Sequence, residues 1–572
     1  MAFSVDFQDV VSGLETSLVE RLVRGFLILA FVGAAFGLYA WSQFRGLRDA
    51  GAMEYAQLAR NLAADRGFTT QCVRPADLWY LSRSGRAVYG AENFPDIRHA
   101  PLYPYLLSLG FRVVHPSFTM ARGAALFKPE VQVILPFGLL FSLGAGLFVL
   151  LAAARLFDRR VASAATAVFF LTETVLAGAL SGTPLSLRML LAAAGVYAAV
   201  VAVGNRSADS HPLRWITPAV LSAFLCGLAA LSGYAAGLAL VVVLGLFMAT
   251  GLGRGGRLAA LGLVLVAAAM LTPWLVRNRQ ASGGVLGVAP YETLSGTYVS
   301  KGGSFDRSLE HDVRSAPVLR ALRYKFVDNV ARQWERNLLR TVGGGLLIAA
   351  LFVASFFCRF DRDEAGRLRW CLLAGLGVLL AAAAVGFGEA AESLPMFLPL
   401  VVVLGTAMFF SMMELYGFSR LGWEAFLTWA LVAVNALPVI LAVTARRADL
   451  PYPPYYPPFV SYVCGMLEPR EAICTDIPWA TAWYGNRFSV LLPQTVGDFM
   501  TLHRSRFPMS GLYLTTETTD RPYVTGLQKG SEREWLPIVN RAVPPDFPFR
   551  QGVALPPGSN EQLFLTDRVR WK

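Results

Sequence analysis

Six apolar runs follow one another between residues 131 and 276, with only short polar breaks between them. A run of about 17–25 apolar residues crosses a bilayer as a helix, because a helix pairs its backbone polar groups internally where water is absent. By that measure the chain holds about eleven spans: 25–41, 131–156, 161–180, 184–203, 215–231, 235–249, 258–276, 342–357, 371–387, 394–415 and 425–443. Composition agrees. Hydrophobic residues make up 55% of the 572 and charged residues 16%, against about 25% charged in soluble domains. The expected fold class is therefore a polytopic α-helical membrane protein. A cytosolic enzyme, a disordered tail and a nucleic-acid-binding module are excluded as readings of the whole chain. The net charge of +12 fits basic loops and anionic headgroups, not a nucleic-acid partner.

Arginine orients the spans. Arg155, Arg159 and Arg160, then Arg206 and Arg214, Arg254 and Arg257, Arg359, Arg362, Arg367 and Arg369, and Arg420 fall in alternate loops. The intervening turns 181–183, 232–234 and 386–393 contain no Lys or Arg. The positive-inside rule then puts the N-terminus in the cytoplasm. Three long segments lie outside: 42–130, 277–340, and a tail that reads as an α/β domain over 447–572, after a multi-span domain over 1–446. Loops of such length without spans are commonly functional. The tail alternates Pro-rich turns with β-like runs at 488–492 and 511–515. Within 314–340, Leu319, Leu322, Phe326, Val330, Trp334 and Leu338 recur at helical spacing between basic residues, the pattern of an interfacial helix. Segment 3–18 carries acids and does not read as a signal peptide. Cys464 and Cys474 either pair across nine intervening residues or remain free thiols, and no spacing suggests a metal site.

Four motifs occur in order along the outer segments. The first is Glu54-Tyr55-Ala56-Gln57-Leu58-Ala59-Arg60-Asn61-Leu62, followed by Arg66-Gly67-Phe68. His99-Ala100-Pro101-Leu102-Tyr103-Pro104 comes next, then Thr272-Pro273-Trp274-Leu275-Val276-Arg277-Asn278 at the outer end of a span. The tail holds Asp476-Ile477-Pro478-Trp479-Ala480-Thr481-Ala482-Trp483-Tyr484-Gly485-Asn486-Arg487. This series resembles the polyprenyl-phosphate-dependent glycosyltransferases of the C-type fold, the protein mannosyltransferase and aminoarabinose transferase group, of which the chain would be a degenerate member. The resemblance implies transfer of a sugar from a polyprenyl-phosphate carrier to a protein, lipid or glycan acceptor, at the outer face of a prokaryotic inner or plasma membrane. No cofactor beyond the lipid-linked donor is implied. Such chemistry needs a carboxylate to take the acceptor's proton, basic groups for the leaving phosphate, and an apolar groove for the prenyl chain.

The departures from the family pattern are informative. Relatives often carry Asp four residues before the loop tyrosine, where this chain has Gly51. Asp49 and Glu54 are the nearest carboxylates, and either would be the base or a solvated acid near a helix N-terminus. Five residues apart, they would point about 140° from one another on a helix. Relatives also place an acid before Pro184-Leu185, where none stands here, and an Arg where this chain has Glu392-Ser393-Leu394-Pro395. Carrier phosphate then falls to Arg277 and Arg279, with Arg98 and His99 behind them, or these arginines only anchor a span end. Glu173 and Arg188 lie inside apolar runs, where ionisable groups pair or line a site. Tyr55 and Tyr103 join them as cavity-wall candidates, and Trp479, Trp483 and Tyr484 either stack on sugar or pack the tail onto the loops. The rival reading is a catalytically silent subunit with a structural role in a membrane complex, which would bring partner subunits with it.

Overall fold

The computed structural model describes residues 7–85, 89–121, 123–206, 211–297, 305–311, 313, 318–336, 345–418, 422–445, 456–519, 527–530, 532–555 and 561–571. The first long helix, α1 (Phe7–Gln43), is of span character from Gly25. The first long segment between spans follows with helices α2 (Ala50–Ala63), α3 (Pro75–Arg83) and α4 (Leu102–Val114). The bundle continues through α5 (Glu130–Leu156), α6 (Arg159–Phe170), α7 (Glu173–Leu180), α8 (Leu185–Gly204), α9 (Leu213–Ser232), α10 (Tyr234–Gly251) and α11 (Gly256–Ser282). Asp363–Val385, Ala390–Leu415 and Glu424–Thr444 complete it. Among the described residues nine helices are long and apolar enough to cross a membrane, ten if the bent pair α6–α7 counts as one span. The expected span 342–357 is represented by the helix Leu346–Ala354, its first residues lying outside the described ones.

The span expected at 161–180 is broken. Helices α6 and α7 meet at an angle of 51°, and a break inside a bilayer must satisfy the backbone groups it releases. Buried Asn435, from the Glu424–Thr444 helix, does this: its amide donates to the Val168 carbonyl at 3.0 Å and to Thr172 Oγ1 at 2.9 Å. The break makes Glu173 the first residue of a short half-helix. A carboxylate is favourable at that position, which accounts for an acid inside an apolar run.

The tail forms a six-stranded sheet with a guest strand. Strands β1 (Cys72–Val73), β2 (Ala472–Thr475), β3 (Phe488–Leu491), β4 (Met509–Leu514), β5 (Gln551–Leu555) and β6 (Gln562–Thr566) lie in the order β1-β3-β2-β4-β6-β5. The first four in that order are parallel, and β6 runs antiparallel to both of its neighbours, β4 and β5. Because β1 comes from the first long segment, that segment and the tail share a core, in which Val73 and Phe94, with Val288 and Phe305 of the 277–340 segment, join Val490, Phe499, Leu512 and Trp535. Cys464 and Cys474 are free and buried. The helix Val318–Arg336 exposes Leu319, Phe326, Val327 and Val330, the face expected of a helix lying on headgroups. Arg340 and Leu338 of that pattern lie outside the described residues.

Candidate active site

A cavity of about 400 Å³ lies where the first long segment meets α7, the start of α8 and the start of the Ala390–Leu415 span. Its polar walls include Asp49, Glu173, Ser181, Thr183 and Glu392. A second space of about 320 Å³ shares Asp49, Glu173, Ala177 and Ser181 and extends to Tyr39, Phe44 and Arg48 beside α1. Both volumes suit a small ligand group. The seat of the first segment depends on one glycine. Gly182 closes the α7–α8 turn at φ +74°, and a Cβ there would come within 2.6 Å of Leu47.

Asp49 holds its place as the N-cap of α2, accepting from the Ala52 N–H at 3.2 Å. Burial raises its pKa above the usual aspartate range, against the Ala52 and Gly51 N–H groups, while the neighbouring Glu389 and Glu54 add to the rise. A half-buried, upward-shifted carboxylate facing a cavity has the character of a proton acceptor.

Glu54 points the other way, as the helical angle requires. It is 2% exposed, forms an ion pair with Arg74, and receives His99 Nε2 at 3.2 Å. His99 Nδ1 reaches Asp96 at 2.9 Å. Burial alone would raise the Glu54 pKa, but Arg74 and His99 outweigh it and hold the carboxyl well below its ordinary range. Burial likewise opposes a charged His99, yet Asp96 and Glu54 lift it well above the ordinary histidine value. Glu54 is thus a fixed anion and a poor base. The cluster has a pH signature. Glu54, depressed on folding, contributes stability above the unfolded carboxylate pKa and loses it as pH falls further. His99, raised on folding, contributes below its unfolded pKa and loses that as pH climbs through the folded one. Thermal unfolding followed against pH should show His99→Gln abolishing an alkaline loss of stability that the wild type displays above about pH 6.5.

The expected phosphate-binding residues do not line the cavity. Arg277 donates to the Asp96 and Phe68 carbonyls and lies over the rings of Trp274 and Phe68, at 4.8 and 5.2 Å. Its guanidinium therefore ties the C-terminal end of α11 to the first segment. Arg279 is two residues on, about 200° round the helix, and lies on its exposed side. Arg98 is enclosed by Asp77, Glu292 and Asp306 at 2.7–2.9 Å.

The pair allowed by sequence between Glu173 and Arg188 is not the one formed. Fully buried Arg188 donates to the Ser232 carbonyl, to Ser393 Oγ at 2.9 Å and to Glu389, with which it forms an ion pair. The Tyr55 hydroxyl donates to the same carboxylate. The Tyr55 ring stands edge-on to His99 at 4.8 Å and to Tyr103 at 5.6 Å. Glu389 thereby joins the first segment to α8. The tail aromatics serve packing. Trp483 is 0% exposed, donates to Glu130 Oε1 at 2.8 Å, and lies against Phe111 and Phe127. Tyr484 packs on Phe127, and Trp479 is half-buried.

Sequence reasoning missed Glu389 and Glu392 as site residues. Glu392 stood out only as a replaced arginine, and Glu389 gave no signal, since their neighbours are two hundred or more positions away in the chain.

No family model and no curated protein sequence matches the chain. Solved structures do match its fold. ArnT from Cupriavidus metallidurans bound to undecaprenyl phosphate superposes with a TM-score of 0.55 at 14% identity, covering 95% of this chain and 98% of that one. The oligosaccharyltransferase of Archaeoglobus fulgidus, in complex with Zn and sulfate, gives 0.53 at 11% identity, covering 88% of this chain and 70% of its own. At such identities the likeness is one of fold: this integral membrane protein has the C-type glycosyltransferase fold.

Proposed function

We propose that the protein transfers a sugar from a polyprenyl-phosphate carrier to an acceptor at the extracytoplasmic face, with Asp49 as the base. The observation that carries this reading is Asp49 itself, a half-buried carboxylate of raised pKa facing a cavity at the outer span ends. The acceptor hydroxyl gives its proton to Asp49 as its oxygen attacks the anomeric carbon. The bond from that carbon to the carrier phosphate breaks, and its electron pair leaves with the phosphate. The family resemblance implies inversion at the anomeric carbon. Arg48, which lines the extension beside α1, replaces Arg277 and Arg279 as the side chain that meets the phosphate. Tyr39, Phe44 and Leu180 supply an apolar wall for the first prenyl units.

The test is reconstitution in liposomes with a panel of polyprenyl-phosphate-linked sugars, reading release of the free polyprenyl phosphate in the presence of envelope extract as acceptor. Impermeant thiol labelling should reach a cysteine placed at Arg66 from outside the cell and one at Arg160 only after lysis. Release across the panel no faster than in protein-free liposomes favours the silent-subunit reading, for which the commitment of Glu54 to Arg74 and His99 is the specific support.

A further inference from the structure

Gly51 is the second residue of α2, two after the cavity-lining Asp49. A Cβ placed on it would lie 3.2 Å from Asp49 Oδ1 and 3.7 Å from Glu392 Oε1. The two carboxylate oxygens are therefore separated by at most the sum of those distances, and the space a side chain at 51 would occupy is flanked by both. Glu392 comes from the Ala390–Ser393 turn at the head of a span, 341 positions along the chain. It lines the same cavity as Asp49, and its Oε2 is buried with no hydrogen-bond partner among the described residues. Its neighbour Glu389 is in the opposite state, held by Arg188 and Tyr55. That double anchorage fixes the turn and so fixes where Glu392 enters. An acid with an unpartnered buried oxygen aimed at a cavity is costly to keep unless something polar fills the space.

We propose that Glu392 is a second catalytic carboxylate, paired across the gap left by Gly51 with Asp49, and that the pair holds and deprotonates the acceptor hydroxyl together. This rests on the glycosyltransferase reading above. Two carboxylates that flank one side-chain-sized gap in a partly dry site do not both ionise easily, so under this proposal the pair shares a proton over part of the pH range. On substrate binding the ionised member takes the acceptor's proton, while the other hydrogen-bonds the same oxygen and orients it. The proton returns to water once the phosphate has left. The glycine is then a requirement of this arrangement, because a larger residue at 51 would push the two acids apart.

The groups around the pair set its electrostatics. Glu173 of α7 adds negative charge from the facing wall, and Arg48 offsets it from the α1 side. Glu389 is paired with Arg188, and Glu54 behind α2 with Arg74 and His99, and both still raise the Asp49 pKa from outside the cavity. Among the described residues, Glu392 is the acid that lines the cavity beside Asp49 with an unpartnered oxygen.

Two readouts test the proposal. In the transfer assay Glu392→Gln should lower kcat/KM by about 10- to 100-fold, and should move the acid limb of the pH profile downward by about one unit, since Asp49 loses a like-charged neighbour. A purely structural role would lower activity without moving that limb. Putting the acid back on the other side, Gly51→Asp in the Glu392→Gln background, should recover part of the lost rate. The second readout needs no substrate. A hydrophobic carbodiimide modifies protonated carboxyls, and mass spectrometry of the full-length protein follows its labelling of Asp49 against pH. The midpoint of Asp49 labelling should fall in Glu392→Gln, with Glu173→Gln and unmodified protein run alongside. An unchanged midpoint together with an unchanged acid limb would overturn the pairing even if transfer is seen. A shifted midpoint with no transfer by any variant or the wild type would leave the pair standing as a shared-proton pair, overturn its catalytic role, and count against the glycosyltransferase reading.

Discussion

Asp49→Asn is expected to lower sugar transfer by about 100-fold or more while leaving the fold intact. Asparagine is also a good N-cap, so the hydrogen bond from the Ala52 N–H survives the change. What is lost is the ability to accept a proton. Glu54→Gln is expected to behave differently. It removes an anion that Arg74 and His99 surround, leaving buried positive charge uncompensated. Its effect should therefore fall on stability, with activity reduced in proportion to the folded fraction. The two variants separate cleanly when activity is expressed per folded molecule. The pH profile gives a further check. The base must be ionised to work, and burial lifts Asp49 above the ordinary aspartate range. The rate should thus fall on acidification at a higher pH than a solvated aspartate would give. A profile that stays flat down to about pH 4 would point to a different base.

The membrane character was legible because it is additive along the chain. Apolar length needs no tertiary information, and most expected spans coincide with helices to within a few residues. The β-like runs at 488–492 and 511–515 likewise appear as β3 and β4. The failures share one physical origin, the meeting of residues remote in sequence. The break after Phe170 is tolerated because Asn435 arrives from another helix to occupy the released carbonyl. Strand β1 exists only because β3 lies beside it. Glu54 reads as a solvated acid until Arg74 and His99 fold over it. Arg277 reads as a phosphate ligand until the Asp96 and Phe68 carbonyls claim its donors. Gly51 was the opposite case. The missing side chain was plain in the sequence, but which acids flank the vacancy was not. Glu392 could be recognised only once the turn before its span was seen to fold over the first segment.

The other large effect is expected at Arg188, and it falls on stability first. Arg188→Met removes the cation that ties Glu389, Ser393 and the Ser232 carbonyl to α8. Breaking a buried ion pair from one side typically costs 3–5 kcal/mol, because the remaining charge stays uncompensated. Here the Glu389 side chain is 23% exposed, so water can recover part of its hydration and the loss should lie toward the lower end, about 3 kcal/mol. Pairing the change with Glu389→Gln should restore much of the stability, since no unpaired charge remains. Thermal unfolding of the detergent-solubilised single and double variants measures that coupling. Activity should not recover in the double variant. Glu389 anchors the turn through both Arg188 and Tyr55, and Glu392 enters the cavity from that turn. Restoring charge balance repairs the bundle, whereas the direction from which Glu392 approaches Gly51 depends on the anchored carboxylate. If the double variant regains both stability and rate, the Arg188–Glu389 pair is a packing device, and the approach of Glu392 is set elsewhere in the turn.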